Sequence, residues 1–414
     1  MVKGIIRKKG VNKFMFPLFV VLVIIVPVLL TTHGLIWGSL GTSSSAMVYG
    51  VKLSSLLFIF IMMINLGTKP IFFKKNSKNL NFFLLIFLTG LLTPFVIQDK
   101  LNFFYYLSDS IGFLILFLTI FYVRFLLEKK IIEVKDLYNV LIWSMFLISL
   151  GIIVNYFLSG RGKVSIPPEI HFALAIFFCS YFIGYRFSKL HKLFTLLLIL
   201  VAVFLSQFRM NMVIAFGSIL IGYLWSMKVG SNKEVFKKII ILGFLVFTVF
   251  YMFSDILIDR LDSIKLSDDF GSDITTVFED KSANQRFIES YLVLKEMDDY
   301  EFLIKFLGKG FGAQYTNIGN VIPNYPLRQH HVHNTIMTLY IRNGLMGILI
   351  FLLPTIYMVK GFFSKKRNFF LITVGMLFAY VALGTDQYIY WGLNFGICIA
   401  IFQYELNRVK DIND

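Results

Sequence analysis

The chain has 414 residues, of which 57% are hydrophobic and only 15% are charged, and its mean hydropathy is +0.74. Soluble domains average about 45–50% apolar and about 25% charged residues, so this composition excludes an ordinary soluble protein. The formal net charge of +16 would suit a nucleic-acid-binding protein, but the distribution of the cations along the chain argues against that class.

The apolar residues form blocks that are about as long as a membrane-spanning helix, which needs about 20 residues. In chain order the blocks occupy 14–31, 46–66, 80–97, 107–127, 137–158, 170–185, 193–208, 210–227, 239–257, 345–359, 369–383 and 391–404. The pattern predicts an all-α polytopic membrane helix bundle with about twelve transmembrane helices. Residues 1–257 form nine spans, residues 258–343 form a long extracytoplasmic loop, and residues 344–414 form the last three spans and a cytoplasmic tail.

Lys and Arg are concentrated on one side of the predicted bundle. If the spans alternate in direction, 26 of the 40 cationic residues fall in segments that face the same compartment as both chain termini. The short connections on the opposite side hold only Lys100, Arg161, Lys163 and Arg209. This asymmetry follows the positive-inside rule and predicts that both termini are cytoplasmic. The composition favours a bacterial inner (plasma) membrane.

The long loop differs in composition from the rest of the chain. Positions 258–333 hold half of the 24 acidic residues, and a loop of this length is usually functional or disordered. Apolar residues at helical spacing over 284–297 predict an amphipathic helix on the outer membrane surface. A short apolar segment follows at 302–307, and glycines interrupt regular structure at 308–312 and again at 344–347. Asn334 is positioned to cap a short helix that begins at Thr335.

Several basic residues lie on the predicted outer side, where a cation close to lipid usually faces a cavity. Arg209 lies in a tight reversal between two apolar blocks, Arg286 on the predicted loop helix, and Arg161 in a Gly-rich connection. Arg328 precedes three of the chain's six histidines, His330, His331 and His333. The alternative is that the arginines extend to lipid headgroups and that the histidines are surface residues.

Arginine binds phosphate through a bidentate fork, and histidine can take a proton from a hydroxyl near neutral pH. Together these groups suit transfer from a lipid-linked phosphate donor to a hydroxyl acceptor. The sequence contains no Asp-x-Asp, His-Glu-x-x-His or Gly-x-Ser-x-Gly motif.

The cysteines, Cys179 and Cys398, lie within apolar blocks and are predicted to be buried small hydrophobic residues.

Three segments in order resemble the signature of the O-antigen polymerase (Wzy) and O-antigen ligase superfamily. They are Gly308-Lys309-Gly310-Phe311-Gly312, the pair His333-Asn334, and Gly344-Leu345-Met346-Gly347-Ile348. Upstream, Ser206-Gln207-Phe208-Arg209 is similar to the family's Ser-x-Ser-Arg reversal, with phenylalanine where serine is common. Asn284-Gln285-Arg286 is similar to the start of the arginine-led helix in the family's large loop.

The resemblance implies a metal-independent, inverting glycosyltransferase of the GT-C type that needs no cofactor. Its donor and acceptor would be oligosaccharides linked to undecaprenyl diphosphate, and a chain-length regulator is a candidate protein partner. By position, His333 corresponds to the proposed general base, and Arg209 and Arg286 to the arginines that hold the diphosphate. Weaker candidates for contact with the diphosphate or the sugar are Arg161, Arg328, His330, His331 and Asn334.

Three functions remain open at the level of sequence. A polymerase joins lipid-linked repeat units to one another, and the divergent sequence with Phe208 in the reversal motif favours this function. A ligase would transfer the finished glycan to a lipid A-core. A flippase would move the lipid-linked oligosaccharide without chemistry, but a transporter usually has internal repeats, and none is evident here.

Overall fold

The structure is a computed structural model, and it describes residues 78–97, 102–128, 130, 132–159, 171–183, 192–205, 209–229, 243, 281–317, 327–329, 332, 334–383 and 392–413. Helices account for 88% of the described residues. In chain order they are α1 (Lys78–Ile97), α2 (Phe103–Glu128), α3 (Val134–Ser159), α4 (His171–Ile183), α5 (Lys192–Leu205), α6 (Arg209–Val229), α7 (Lys281–Asp298), α8 (Phe302–Leu307), α9 (Thr335–Phe362), α10 (Arg367–Leu383) and α11 (Gly392–Asn413). Two short strands, β1 (Tyr315–Thr316) and β2 (Arg328–Gln329), pair antiparallel.

Three helices in the described part of the chain are long and apolar enough to cross a membrane. They are Phe103–Glu128, Met210–Lys228 and Thr335–Phe362. Five shorter apolar helices, of 10 to 17 residues, accompany them. Nine of the predicted apolar blocks coincide with helices of the structure, and the blocks at 14–31, 46–66 and, apart from Gly243, 239–257 lie outside the described residues. The mainly helical class is confirmed, and the count of about twelve spans stays a prediction.

The main core lies between the apolar helices. Helix α2 packs against α11, α4 lies between α6 and α10, and α3 packs against α5. The large side chains that remain exposed on these helices include Val96, Phe157 and Leu349. Apolar residues therefore occupy both the inside and the outside of the bundle, as expected of helices surrounded by lipid. Cys179 and Cys398 are buried and unpaired, as predicted.

A second, smaller core is built from residues 288–341, which lie in the chain between the first six helices and the second half of α9. Helix α7 contributes Ile288, Leu292, Val293 and Met297, and they pack against Ala313, Tyr315, Val332 and Ile341. The helix predicted over 284–297 is present within α7, but its faces differ from the prediction. Phe287, Tyr291 and Leu294, which the helical spacing places on the apolar face, are exposed, whereas Glu289, which the spacing places on the polar face, is fully buried.

Helix α9 is interrupted at Gly344, where the backbone has φ +62° and ψ −163°. Before this kink, Ile341 packs in the second core and Leu339 in the main core, whereas the core residues after the kink belong to the main core. The predicted interruption at 344–347 is therefore present as a kink. A Cβ at Gly344 would lie 2.3 Å from the carbonyl oxygen of Phe306, so the kink brings α8 and α9 into backbone contact.

Candidate functional site

The Gly308–Gly312 segment, which we call the glycine clasp, connects the second core to the apolar bundle. Gly308, Gly310 and Gly312 have φ values of +81°, +88° and +80°, a region that favours glycine. A Cβ at these three positions would lie 2.3 Å from an atom of α9, 2.1 Å from an atom of α1 and 2.8 Å from an atom of α2, respectively. The alternating glycines are therefore required by backbone conformation and by close packing against three helices.

The clasp caps the first half of α9. The N–H of Lys309 donates to the carbonyl oxygen of Ile341 at 2.7 Å, and the N–H of Gly310 donates to that of Arg342 at 2.8 Å. Carbonyl groups at a helix end lack partners within the helix, and the kink at Gly344 creates such an end. The first and third sequence motifs therefore meet in space, although more than thirty residues separate them.

The clasp also completes a hydrogen bond that α1 cannot make alone. Pro94 has no N–H, so the carbonyl group of Gly90 lacks the donor that normally lies four residues later. The N–H of Phe311 donates to this carbonyl oxygen at 2.7 Å. The ring of Phe311 is fully buried and lies against Gly90, where a Cβ would be 2.4 Å from it.

A buried ion pair joins α2 to α9 beside the clasp. The Nε of Arg342 lies 2.8 Å from Oδ2 of Asp109, and the two side chains are 2% and 1% exposed. The N–H of Gly312 also donates to Oδ2 of Asp109, at 2.9 Å. A buried charge is costly unless it is paired, and each of these groups supplies the other with a charge of opposite sign.

A second ion pair lies on the loop side of the clasp. The Nζ of Lys309 is 3.0 Å from Oε1 of Glu296, with side-chain exposures of 6% and 17%, and it also donates to the carbonyl oxygen of Gln314. The other carboxylate oxygen of Glu296 accepts from the N–H of Thr316 at 3.2 Å. The same Nζ lies 4.9 Å from the centre of the Tyr300 ring. These contacts fix the clasp to α7 and to β1.

This second pair lines a pocket that opens to solvent. Its other walls include Pro94, Phe311, Tyr300, Thr316 and Arg328. Lys309 and Glu296 neutralise each other, whereas the side chain of Arg328 is exposed and makes no ion pair within the described part of the chain. The pocket therefore combines an aromatic ring, hydrogen-bonding groups and the guanidinium of Arg328, whose charge no described residue neutralises.

No known protein-family model matches the chain, and no curated protein has significant sequence similarity to it. The resemblance to the polymerase and ligase superfamily therefore depends on the short motifs and their order.

The arginines and the asparagine predicted for the site lie on different elements. Arg209 is the first residue of α6, and Arg286 lies on α7, where its Nε is buried and has no hydrogen-bond partner among the described residues. Arg328 lies on β2, opposite Thr316. The Oδ1 of Asn334 accepts from the N–H groups of Ile336 and Met337, so it caps α9 as expected.

Four predicted site residues, His330, His331, His333 and Arg161, lie outside the described residues. The chain on both sides of His333 is described, and Val332 is buried in the second core. Within the described ranges, no cluster of three or more His, Cys, Asp or Glu side chains could hold a metal ion. The role of His333 stays a prediction.

A buried polar pair lies near the start of α6. The Nε2 of His171 and Oδ1 of Asn211 are 3.0 Å apart, and both side chains are fully buried. Asn211 follows Arg209 by two residues, so this contact ties the first turn of α6 to the start of α4. Sequence reasoning did not single out either residue.

The Asp109–Arg342 pair was also missed, although the sequence carries a signal for it. Asp109 is the only acidic residue in α2 before its last position, Glu128. An isolated acid within a membrane-length apolar helix is costly and usually has a cationic partner. The sequence therefore indicates that Asp109 has a partner but does not identify it as Arg342.

Proposed function

We propose that this protein is a polymerase of undecaprenyl-diphosphate-linked oligosaccharide repeat units, for O-antigen, capsule or exopolysaccharide. It would act as a GT-C-like, metal-independent, inverting glycosyltransferase with about twelve spans and with both termini in the cytoplasm. Its reaction would take place at the outer face of the bacterial inner membrane, on the loop over 258–343. Its donor and its acceptor are both lipid-linked oligosaccharides.

The observation that carries the proposal is the interlocking of two of the segments on which the resemblance depends. The glycine clasp caps the half of α9 that ends at Gly344, and the backbone at Gly344 touches that of Phe306 beside Gly308. Gly347 is also constrained, because a Cβ there would lie 2.3 Å from Cβ of Asn343. Asn334, of the His-Asn pair, caps the same half-helix. Sequence motifs that each give only a weak indication of the family therefore pack together in one structural unit.

In the proposed mechanism, His333 takes the proton from a hydroxyl group of the acceptor sugar. The hydroxyl oxygen attacks the anomeric carbon of the donor from the side opposite the diphosphate. The bond between that carbon and the phosphate oxygen breaks, and undecaprenyl diphosphate leaves with the electron pair. The configuration at the anomeric carbon is therefore inverted, and the glycosyl–diphosphate bond supplies the driving force.

Arg209 and Arg286 would stabilise the negative charge that develops on the leaving diphosphate, a term that is often the largest in catalysis. The Nε of Arg286 is buried and has no hydrogen-bond partner within the described ranges, which supports this role, because such a donor gains most from an anionic ligand. Arg328 is exposed at the pocket and would contact the sugar or the diphosphate. His330, His331 and Arg161 are weaker candidates for the same contacts.

The proposal is tested by His333→Ala in proteoliposomes supplied with the lipid-linked repeat unit of the host strain. Loss of a general base should slow polymer formation by about 10²–10⁴-fold. His191→Ala, in a connection predicted to be cytoplasmic, is the matched control and should retain normal activity. A His333→Ala protein that makes full-length polymer at the normal rate would falsify the assignment.

Arg209→Lys tests the capture of diphosphate, because lysine keeps the charge but loses the bidentate fork. We expect a loss of about 10²-fold or more in polymerisation rate, similar to removal of one transition-state donor. Arg186→Lys, in a predicted cytoplasmic connection, is the control. Undiminished activity of Arg209→Lys would indicate an arginine that only contacts headgroups.

The polysaccharide profile of a deletion strain separates the three functions. Single repeat units on the lipid A-core would support the polymerase. Bare core together with accumulated lipid-linked polymer would identify a ligase, and repeat units retained on the cytoplasmic side would identify a flippase. Either of the last two results overturns the proposal.

A further inference from the structure

Helix α8 presents an apolar surface to the outside of the described structure. Phe302 is 80% exposed and Leu303 is 62% exposed, and Phe306 is exposed beside them. The rings of Phe302 and Phe306 are stacked, with centroids 6.1 Å apart. None of the six residues of α8 is buried. Contiguous apolar exposure of this kind marks a surface that contacts something other than water.

The exposure does not arise from a detached helix, because the opposite side of α8 is held in place. Ile304 packs against the second core, and the Nζ of Lys305 lies 2.8 Å from Oδ1 of Asp298. The N–H of Gly308 also donates to the carbonyl oxygen of Ile304. The only charged side chain of α8 is therefore directed to α7, which leaves the phenylalanines and Leu303 on the free face.

This face lies beside apolar surfaces of helices that belong to the bundle. Phe306 touches the kink of α9, and the next residue of α9 after the kink, Leu345, begins a series of exposed leucines on a candidate membrane-spanning helix. Helix α8 also contacts α1, whose last turn exposes Phe95 and Val96. The apolar surface of the bundle therefore continues onto α8.

We infer that α8 inserts its free face into the outer leaflet of the bilayer and that Phe302 and Leu303 lie among the acyl chains. The inference depends on the membrane placement given under the proposed function. It assigns the anchoring contact to α8 and not to α7, which carries six charged residues in eighteen. Insertion holds the clasp and its pocket at the membrane boundary, where the diphosphate of a lipid-linked substrate lies.

Site-directed spin labelling of the full-length protein in lipid nanodiscs tests the inference. Single cysteines replace Phe302, Leu303, Phe287, Leu349 or Asp299, and collision of the label with oxygen is compared with collision with a water-soluble nickel chelate. Leu349 is the lipid reference on α9, Asp299 is the aqueous reference, and Phe287 represents the exposed face of α7. Cys179 and Cys398 are buried, so wild-type protein should remain unlabelled.

The ratio of oxygen to nickel collision at Phe302→Cys and Leu303→Cys should match that at Leu349→Cys and exceed that at Asp299→Cys severalfold. Phe287→Cys should resemble the aqueous reference. Aqueous values at both α8 positions, with a lipid value at Leu349→Cys, overturn the inference and leave the proposed function standing. A lipid value at Phe287→Cys alone makes α7 the anchor and also overturns it. An aqueous value at Leu349→Cys contradicts the membrane placement itself.

Discussion

The two ion pairs that contact the glycine clasp lie in different surroundings. Asp109 and Arg342 are almost completely buried between apolar helices, and the clasp supplies one of their hydrogen bonds. Lys309 and Glu296 lie on the loop side, where Glu296 keeps some exposure and both side chains line the solvent-open pocket. Charges interact more strongly and are costlier to leave unpaired where water is excluded. The comparison indicates that the Asp109–Arg342 pair, on the bundle side of the clasp, contributes more to the stability of the fold. Substitution of the Lys309–Glu296 pair, on the loop side, should destabilise the protein less.

The largest effect is expected from breaking the bundle-side pair. Asp109→Ala leaves the guanidinium of Arg342 buried without its carboxylate, and the free energy of unfolding should fall by about 3–5 kcal/mol. Unfolding of the purified protein in detergent, followed by circular dichroism, measures the change. The double variant Asp109→Leu/Arg342→Met should recover most of the loss, because it removes both charges. Wild-type stability in the single variant would contradict the burial argument.

The next largest effect is expected from a substitution in the glycine clasp itself, which connects the apolar bundle to the second core. Gly310→Ala places a side chain at φ +88° and its Cβ 2.1 Å from Cδ of Pro94, so we expect a loss of about 2 kcal/mol or more. Gly151→Ala is the matched control, because a Cβ there meets nothing within 4 Å inside α3. That control should gain about 0.5–1 kcal/mol from better helix propensity. Equal unfolding midpoints for the two variants would be inconsistent with a tight clasp.

A smaller effect is expected on the loop side. Glu296→Gln removes the charge that faces Lys309 but keeps an oxygen that can accept from Thr316. The loss should be about 1–2 kcal/mol, because a hydrogen bond to a charged group contributes about 1.5–3 kcal/mol and water partly screens this one. Glu301→Gln, at an exposed position without a side-chain capping bond, is the control. If Glu296→Gln lowered the free energy of unfolding as much as Asp109→Ala does, the two ion pairs would not differ in the way proposed.

The smallest effect concerns the exposed pair that holds α8 to α7. The hydrogen bond and charge of Lys305 lower the pKa of Asp298 below its ordinary value. Because the folded-state pKa is lowered, the contribution of this pair is present above the ordinary carboxyl pKa and is lost as the pH falls through the folded-state value. Lys305→Ala should therefore raise the pKa of Asp298, measured by NMR of ¹³C-labelled aspartate. Lys305→Arg should leave it low, and a pKa unmoved by Lys305→Ala would exclude the pairing.

The helices could be predicted from sequence because apolar composition acts locally. Blocks such as 107–127 and 210–227 coincide with α2 and α6, and the Asn334 cap and the Gly344 kink follow from residue types that favour these conformations. Which side chains of α7 are buried could not be predicted in the same way. Glu289 is buried and Phe287 is exposed because the second core, assembled from distant segments, decides which side of α7 faces inward.

The candidate site was predictable only as a set of residues. The glycines at 308–312 indicated a special turn, but nothing local indicates that they would pack on α1, α2 and α9. The Asp109–Arg342 pair joins positions more than two hundred residues apart, and the contact depends on the helix arrangement. The predicted chemistry at His333 still depends on resemblance, because that residue lies outside the described ranges.

The hydrogen bond from Phe311 to the Gly90 carbonyl also has a consequence for the order of assembly. During synthesis α1 emerges long before residue 311. Because Pro94 has no N–H, the carbonyl group of Gly90 then has no donor within the helix. Until residue 311 docks on α1, a water molecule or another group outside the helix must supply that donor. The late docking of the clasp replaces this solvent contact with a protein contact. Helix α1 therefore reaches its final hydrogen bonding only when the segment around residue 311 has folded onto it.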